Sequence, residues 1–147
     1  MRVFATVLLL ALGSCTPKAT PAGVAAFAPL QWSALTGAPY RLTELTLKGK
    51  ATPLPDTRRP TIQFGDNGAV SGMAGVNRYS TGATVSGKDT LAWTGPIAAT
   101  KMAGPPEAMA LESAFLGALE AAARISLRDG KLTLASADGA TRLEFGQ

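Results

Sequence analysis

Histidine is absent from this chain of 147 residues, and cysteine occurs once, as Cys15. Within one chain, these scarcities exclude a Ser-His-Asp triad, a Cys-His dyad and any zinc site built from cysteine and histidine. An enzyme made from this sequence would have to use carboxylates, lysine, serine, threonine or tyrosine. We therefore expect a protein that is not an enzyme and that has neither a metal centre nor a cofactor.

The sequence also lacks a large excess of charge of either sign. Lysine and arginine number 14 against 10 acidic residues, a net charge of +4, and only Arg58 and Arg59 are adjacent basic residues. A protein that binds nucleic acid presents a basic patch or stripe to the phosphates, so we expect no nucleic-acid partner. The 16 glycines, 10 prolines and 46% apolar residues indicate one folded domain with many turns.

The first residues form a targeting segment. Arg2 precedes a nearly unbroken apolar run over residues 3–12, which has half of the roughly 20 residues that a membrane-spanning helix needs. A run of this length is typical of a signal peptide. Residues 12–15 read Leu-Gly-Ser-Cys, which resembles the lipobox of bacterial lipoproteins. We expect a lipoprotein signal peptide over residues 1–14 and a lipid on Cys15; the alternative is an ordinary secretory signal with a chance cysteine.

The expected export of this chain guides the interpretation of the residues that follow the signal peptide. Residues 16–28 are small, interrupted by proline and without periodicity, and we interpret residues 15–28 as a flexible tether. Residues 29–147 then form the folded domain, which has no thiol for a disulfide even though the compartment is oxidising. Thr16 rather than aspartate follows Cys15, as in the lipoproteins that this segment resembles and that reach the outer membrane. We expect a lipid-anchored protein of the cell envelope, facing the periplasm from the outer membrane in a Gram-negative cell.

Short alternations of apolar and polar residues predict strands separated by tight turns. The turn signals are Asp66-Asn67-Gly68 and the glycine-containing segments at residues 86–89, 128–130 and 137–139. Residues 48–60 contain three prolines and are interpreted as an exposed loop. We expect seven or eight short strands, and the clearest alternations lie at residues 30–34, 43–47, 61–64, 125–127, 132–134 and 143–145.

One segment predicts a helix. It opens at Pro105-Pro106-Glu107, where proline is tolerated and the acid complements the helix dipole. An apolar stripe follows at spacings of three and four: Ala108, Leu111, Phe115, Leu119 and Ala122. Glu112 and Glu120 are interpreted as part of a solvated face, and Glu120 with Arg124 as an i,i+4 ion pair. We expect an α+β fold of mostly antiparallel strands, in which one helix packs on a small, strongly bent sheet or partial barrel.

Several residue groups look like catalytic motifs but have structural interpretations. Residues 82–89 nearly match the phosphate loop G-x4-G-K-[ST], but Asp89 stands at the last position and a strand pattern follows, which favours a hairpin. Ser86 and Lys88 would need a fixed geometry that a turn containing glycine does not impose. Glu112 and Glu120 lie two helical turns apart, about 12 Å, beyond the roughly 5–10 Å between paired glycosidase carboxylates.

Two segments together carry a family resemblance. Residues 71–80 read Ser-Gly-Met-Ala-Gly-Val-Asn-Arg-Tyr-Ser, which resembles the motif G-x-x-[GM]-C-N-R-[YF]-S of the META domain family, the HslJ-like lipoproteins. Residues 99–104 read Ala-Thr-Lys-Met-Ala-Gly, which resembles the second motif of that family, T-[RK]-M-x-C. The resemblance covers about residues 30–145 and includes the opening Trp32, the helix residue Glu112 and the strand at residues 132–134.

The resemblance implies a small antiparallel barrel with one helix, no established catalytic residue, and an exported lipoprotein linked to stress or the envelope. We interpret the matching residues as structural, with Asn77 capping a turn and Arg78 binding carbonyls or a carboxylate such as Glu112. A surface binding role is the alternative. The matching residues are Trp32, Gly72, Gly75, Asn77, Arg78, Tyr79, Thr100, Met102 and Glu112.

The sequence departs from the family pattern at Val76 and Gly104, which stand where the family has its two motif cysteines. The joint departure implies that these are the positions of a lost disulfide, so the two sites should lie close together. We expect Val76 to be buried and the space at Gly104 to be filled by neighbours such as Met102.

The function implied is that of a non-enzymatic, membrane-anchored META-domain lipoprotein of the bacterial envelope, with a structural or binding role in stress or drug tolerance. Its partners would be the membrane, through the lipid on Cys15, and an envelope protein or small apolar ligand whose identity the sequence does not give. The alternative is a barrel that holds a small ligand, or an inhibitor of an exported protease that presents residues 48–60.

Overall fold

The structure is a computed structural model that describes residues 29–147. The expected signal peptide over residues 1–14, the lipid site at Cys15 and the tether over residues 15–28 lie outside the described residues. Within residues 29–147, no helix is long and apolar enough to cross a membrane.

Ten strands, one α-helix and two short 3₁₀ turns make up the described part of the chain, against an expectation of seven or eight strands. The strands without a clear alternation in the sequence are the shortest, with three residues in β2 and two in β7. The elements are β1 (Tyr40–Leu47), β2 (Lys50–Thr52), β3 (Thr61–Phe64), β4 (Ala69–Met73), β5 (Arg78–Ser86), β6 (Thr90–Trp93), β7 (Ala98–Ala99), α1 (Pro106–Ala121), β8 (Ala122–Arg128), β9 (Lys131–Ser136) and β10 (Arg142–Gly146), with 3₁₀ turns at Trp32–Ala34 and Asp66–Gly68.

Eight of the strands close into a barrel in the order β1-β3-β4-β5-β6-β8-β9-β10, and β10 returns to pair with β1. All of these pairings are antiparallel. The short strands β2 and β7 lie outside the barrel, paired with β1 and β5. The expected class, mostly antiparallel strands with one helix, is confirmed, and the sheet closes fully rather than stopping at a partial barrel.

Irregularities in two strands let the sheet bend around the core. The β1–β10 register shifts between Leu42 and Glu44, so that Leu42 and Leu45 both point inward although they are three residues apart. A second shift in β8 does the same for Ala122 and Ile125. An extra residue bends a strand and increases its twist, which closure of a small barrel requires.

Side chains fill the interior of the barrel. The helix α1 lies against β9 and β10, and the Phe115 ring packs at 5.7 Å from Tyr79 and 6.3 Å from Phe145, centroid to centroid. An eight-stranded barrel is just wide enough for its own side chains to fill it. The largest fully buried residues are Phe64, Phe115, Phe145, Leu35, Leu42, Leu45, Ile62, Leu119, Ile125, Leu132, Leu134 and Leu143.

The expected first strand at residues 30–34 is wrong. Trp32–Ala34 forms a 3₁₀ turn instead. The Trp32 indole N–H donates to the Gly65 carbonyl at 2.8 Å, and its ring meets Phe64 edge-on at 5.4 Å. The apolar alternation at residues 30–34 therefore reflects the tertiary contacts of the Trp32 ring and not a pleated strand.

The loop expected over residues 48–60 is also partly wrong, because Lys50–Thr52 forms strand β2. Lys48 and Gly49 both adopt positive φ in the hairpin that joins β1 to β2. By contrast, the turn at Asp66–Gly68 joins two strands as expected, and Asn67 and Gly68 have φ of 56° and 81°. Residues 82–89 form the end of β5 and the hairpin to β6, so the phosphate-loop interpretation stays excluded.

The helix begins at Pro106, as its opening residues predict, and Leu111, Phe115 and Leu119 are buried. The predicted ion pair between Glu120 and Arg124 is wrong. The helix ends at Ala121, and Arg124 lies on β8, where its guanidinium contacts the Asp89 carboxylate at 2.8 Å.

Candidate functional site

The two family-like segments meet at the side of the α1 helix. The loop between β4 and β5 brings Val76 and Asn77 to the first turns of α1, and the segment after β7 places Thr100 and Met102 on the far side of Asn77. Asn77 is 1% exposed and Glu112 is 6% exposed, and they are the two polar residues in the buried core of the described chain. The site is therefore organised around one amide and one carboxylate.

The Glu112 carboxylate accepts three hydrogen bonds from the loop between β4 and β5. Its Oε2 receives the backbone N–H of Val76 at 3.1 Å and that of Asn77 at 2.7 Å. Its Oε1 receives the Asn77 side-chain amide at 2.8 Å. The expectation that Glu112 lies on a solvated helix face is wrong, because this loop covers the helix here and supplies the donors that water would otherwise provide.

Asn77 connects this carboxylate to the second segment. Its Oδ1 accepts the Thr100 hydroxyl and the Met102 backbone N–H, each at 2.7 Å, and its Nδ2 also donates to the Met102 carbonyl at 3.0 Å. The amide thus ties together the loop before β5, the segment before α1 and the helix itself. We call Glu112, Asn77, Thr100 and the backbone groups of Val76 and Met102 the polar clasp.

Arg78 and Tyr79 do not share one role. Arg78 is exposed, and its backbone N–H, rather than its guanidinium, donates to the Thr100 hydroxyl at 3.2 Å. The expectation that Arg78 binds Glu112 is wrong, since Asn77 occupies that carboxylate. Tyr79 is buried, its hydroxyl donates to the Thr61 carbonyl at 2.9 Å, and burial raises the pKa of Tyr79.

Two positions of the first motif require glycine for different steric reasons. A Cβ at Gly72 would lie only 2.0 Å from the Thr61 carbonyl oxygen, so no side chain fits where β4 passes β3. Gly75 has a φ of +136°, which side chains of L-residues rarely adopt, and a Cβ there would be 3.6 Å from the Ala108 carbonyl oxygen. Gly75 therefore brings bare backbone close to the start of α1.

Val76 and Gly104 lie against each other. A Cβ built on Gly104 would be 3.4 Å from the Val76 Cβ and 2.5 Å from its Cγ2. Disulfide Cβ atoms are separated by about 3.5–4.5 Å, so the first distance lies just below that range. The γ-methyls of Val76 occupy the space in front of Gly104, which explains why no larger residue fits there.

Two finer expectations about this pair are wrong. Val76 is only half-buried, and Met102 is 57% exposed instead of filling the space at Gly104. The Met102 backbone is held by Asn77, and that leaves its side chain pointing outward.

The polar clasp is saturated by its own members. Within residues 29–147, no buried side-chain nitrogen or oxygen lacks a hydrogen-bond partner, and no three His, Cys, Asp or Glu side chains are grouped as a metal site. A site prepared for catalysis keeps donors, acceptors or a nucleophile aimed at an open position. In the clasp, the Glu112 carboxylate, the Asn77 amide and the Thr100 hydroxyl are bonded to one another or to backbone groups, so the clasp connects segments of the chain.

A cleft of about 670 Å³ opens beside the polar clasp. The segment after β2 forms one wall and the first turns of α1 form the other, with Gly75 between them. The sequence did not predict this cleft. Among its lining residues, Gly75 belongs to the first motif, and the residues after β2 belong to the proline-rich loop over residues 48–60 that an inhibitor would present. We call this space the α1 cleft, and it is lined by Pro53, Leu54, Pro55, Thr57, Arg58, Gly75, Pro105, Glu107, Ala108 and Leu111.

A family model described as META domain matches residues 33–147, which is most of the chain. The chain belongs to the META domain family. Both motif segments and the whole of α1 lie inside the matched range, whereas Trp32 lies one residue before it. None of the curated proteins matches the chain.

Solved structures with the same fold accompany this family match. An NMR structure of a protein from Burkholderia xenovorans has 22% identity and a TM-score of 0.62, covering 89% of this chain and 97% of that one. A second protein solved by NMR has 26% identity and a TM-score of 0.59, covering 80% and 94%. A DUF4847 family protein from Bacteroides vulgatus has 18% identity and a TM-score of 0.55, covering 78% and 94%. At these identities the likeness establishes the fold.

Proposed function

We propose that this META-domain protein is a lipid-anchored binding protein of the bacterial envelope, without enzymatic activity, that presents the α1 cleft to a partner. The observation that carries this proposal is the contrast between the saturated polar clasp and the open cleft beside it. The clasp joins the loop before β5 to α1 and so fixes Gly75 against the helix wall of the cleft. The closed, filled barrel serves as the rigid support on which such a site depends.

The position of the cleft favours binding over a purely structural role. The described chain enters the barrel near Trp32, which contacts Gly65 next to the β3–β4 turn. Gly75 and the cleft follow the opposite end of β4, which has five residues and spans about 15 Å. The first described residues therefore lie at the other end of β4 from the cleft, so attachment of the chain through a lipid on Cys15 does not block the cleft.

The alternative function, inhibition of an exported protease through residues 48–60, has less support. Lys50–Thr52 is paired with β1, and the residues that follow fold back as one wall of the cleft. Arg59 holds that wall through the Pro55 carbonyl at 2.9 Å and the Asp56 carboxylate at 3.7 Å. An inhibitory loop would instead protrude in an extended form that a protease can accept.

Anchorage is tested by substituting Cys15→Ala in the full chain, with Ser14→Ala as a matched control that keeps a small residue before the cysteine. Metabolic labelling with an alkyne fatty acid and detergent phase partitioning report lipidation and membrane association. We expect the wild type and Ser14→Ala to be processed and labelled, and Cys15→Ala to be unlabelled and either uncleaved or soluble. A Cys15→Ala protein that is still matured and membrane-bound would contradict lipid anchorage.

A role in stress or drug tolerance is tested in the same strains. Cells that lack the protein should lose tolerance, and the wild-type chain, but not Cys15→Ala, should restore it. Equal restoration by both chains would show that the activity does not depend on the anchor.

A further inference from the structure

The α1 cleft has the size and lining of a small-molecule site. Its volume of about 670 Å³ falls within the 300–1,000 Å³ typical of such sites. Leu54 lines the cleft on the loop wall and Leu111 on the helix wall, and prolines and Ala108 complete an apolar surface. Leu111, at 8% exposed, belongs to the buried core, and Leu54 is partly buried and packs against that core, so the cleft adjoins the hydrophobic core.

Arg58 gives this apolar cleft one specific polar group. Among residues 29–147, three other non-glycine residues have positive φ, namely Lys48, Asn67 and Asp129, and each precedes a glycine in a turn between two strands. Arg58 has a φ of 57° but is followed by Arg59 and lies in no such turn. A positive φ is unfavourable for a residue with a side chain, and residues held in this way cluster at ligand sites.

The charges around Arg58 leave it available to a ligand. Its neighbour Arg59 is already paired with Asp56, whereas Arg58 has no carboxylate within 4.0 Å among the described residues. Glu107 also lines the cleft, on the α1 wall. An anionic group is therefore attracted most strongly to the loop wall, where Arg58 lies, because Glu107 offsets the positive N-terminal end of α1 on the helix wall.

We infer that the α1 cleft binds a small amphipathic organic anion. Its apolar body lies between Leu54 and Leu111, and its carboxylate or similar anionic group contacts Arg58. This inference rests on the proposed binding function and names the ligand class.

The test uses two fluorescent probes that share one ring system. 1-Anilinonaphthalene-8-sulfonate carries an anionic group, and N-phenyl-1-naphthylamine lacks it. The protein is the domain of residues 29–147, which contains all of the described core. A protein of the same fold solved by NMR, with 94% of its chain covered, matches 80% of this chain, about the share that residues 29–147 make up, and thermal unfolding of the wild-type domain is measured first to establish that it is folded.

Three variants separate the contributions of shape and charge. Arg58→Gln should weaken binding of the sulfonate probe about tenfold or more and leave the neutral probe unchanged, because a charged hydrogen bond is lost. Ala108→Phe, which fills the cleft from α1, should weaken both probes. Arg41→Gln removes an exposed arginine outside the cleft and should change neither. Thermal unfolding of each variant verifies that it is folded, and Arg58→Gln, in an exposed segment, keeps the test valid if Ala108→Phe does not fold.

Four outcomes would overturn the inference: no binding of either probe, equal binding to wild type and Arg58→Gln, equal loss of both probes in Arg58→Gln, and full binding by a folded Ala108→Phe. The domain tested lacks Cys15, so these outcomes are independent of whether the full chain is lipid-anchored. Membrane attachment with no probe binding would leave anchorage standing and refute the ligand class alone.

Discussion

The strongest prediction concerns the carboxylate of the polar clasp. In Glu112→Gln, one carboxylate oxygen becomes an NH2 group in a site where every neighbour is a donor. If the amide oxygen stays on the two backbone N–H groups of Val76 and Asn77, the new NH2 group faces the Asn77 amide. If Asn77 rotates to accept from it, its own NH2 group then faces the Met102 backbone N–H. In either arrangement one buried donor is left without a partner.

The expected loss of stability follows from the free energies of such hydrogen bonds. A hydrogen bond to a charged group contributes about 1.5–3 kcal/mol, and a buried donor without a partner costs about 1–3 kcal/mol. Because Glu112 is 6% exposed, water does not replace the lost acceptor. We expect Glu112→Gln to lower the free energy of unfolding by about 2–4 kcal/mol, or the melting temperature by roughly 10 °C.

Urea and thermal unfolding of residues 29–147 measure this loss. The matched control is Glu120→Gln, which makes the same chemical change on an exposed residue of the same helix and should change stability by less than about 0.5 kcal/mol. Asn77→Asp should be destabilising as well, because it places a second carboxylate 2.8 Å from that of Glu112. Combining Asn77→Asp with Glu112→Gln exchanges acid and amide and should recover part of the loss, though not the donor to the Met102 carbonyl.

Two results would refute the reasoning. Glu112→Gln could unfold at the same urea concentration as Glu120→Gln, which would mean that the buried carboxylate makes no net contribution. Alternatively, the double variant could lose the sum of the two single losses. Additive losses would mean that Glu112 and Asn77 do not interact, whatever their separation.

Two further predictions follow from the same region. The double variant Val76→Cys/Gly104→Cys should oxidise to a disulfide that closes a loop of about 28 residues and stabilises the domain by roughly 3–4 kcal/mol. A cysteine pair that stays reduced, or an oxidised form with no higher melting temperature than the reduced one, would contradict the lost-disulfide interpretation. Burial raises the pKa of Tyr79, so the folded chain keeps a proton that the unfolded chain loses near the ordinary tyrosine pKa of about 10. The contribution of Tyr79 to the free energy of unfolding is therefore complete below pH 10 and decreases as the pH rises above it. Tyr79→Phe should show a shallower alkaline decline in urea unfolding, with the remainder from Tyr40, whose pKa burial also raises; parallel declines in both proteins would show that Tyr79 does not carry the effect.

Local sequence determined the parts of this protein that depend on neighbouring residues. Asp66-Asn67-Gly68 predicted a turn because asparagine and glycine tolerate the positive φ that a tight turn needs, and both have it. The alternation at Leu132 and Leu134 predicted a strand with one buried face, and both side chains are fully buried. Pro106 predicted the start of α1 because a first turn does not need the missing N–H. The two motif segments together also indicated the META domain family.

Only the tertiary structure decided which distant segments meet. The barrel closes through β1 and β10, which are near opposite ends of the described chain, and no local periodicity encodes that pairing. Because α1 ends at Ala121, Arg124 lies on β8, where its partner is Asp89 and not Glu120.

Glu112 shows the physical reason most clearly. Helical periodicity places it off the apolar stripe, and an acid there belongs in water unless another segment replaces that water. The loop before β5 does so, with two backbone N–H groups and the Asn77 amide, and turns a solvent-facing position into a buried one. The same docking places Gly75 beside Ala108 and forms the floor of the α1 cleft, so the candidate site exists only once the loop and the helix have met.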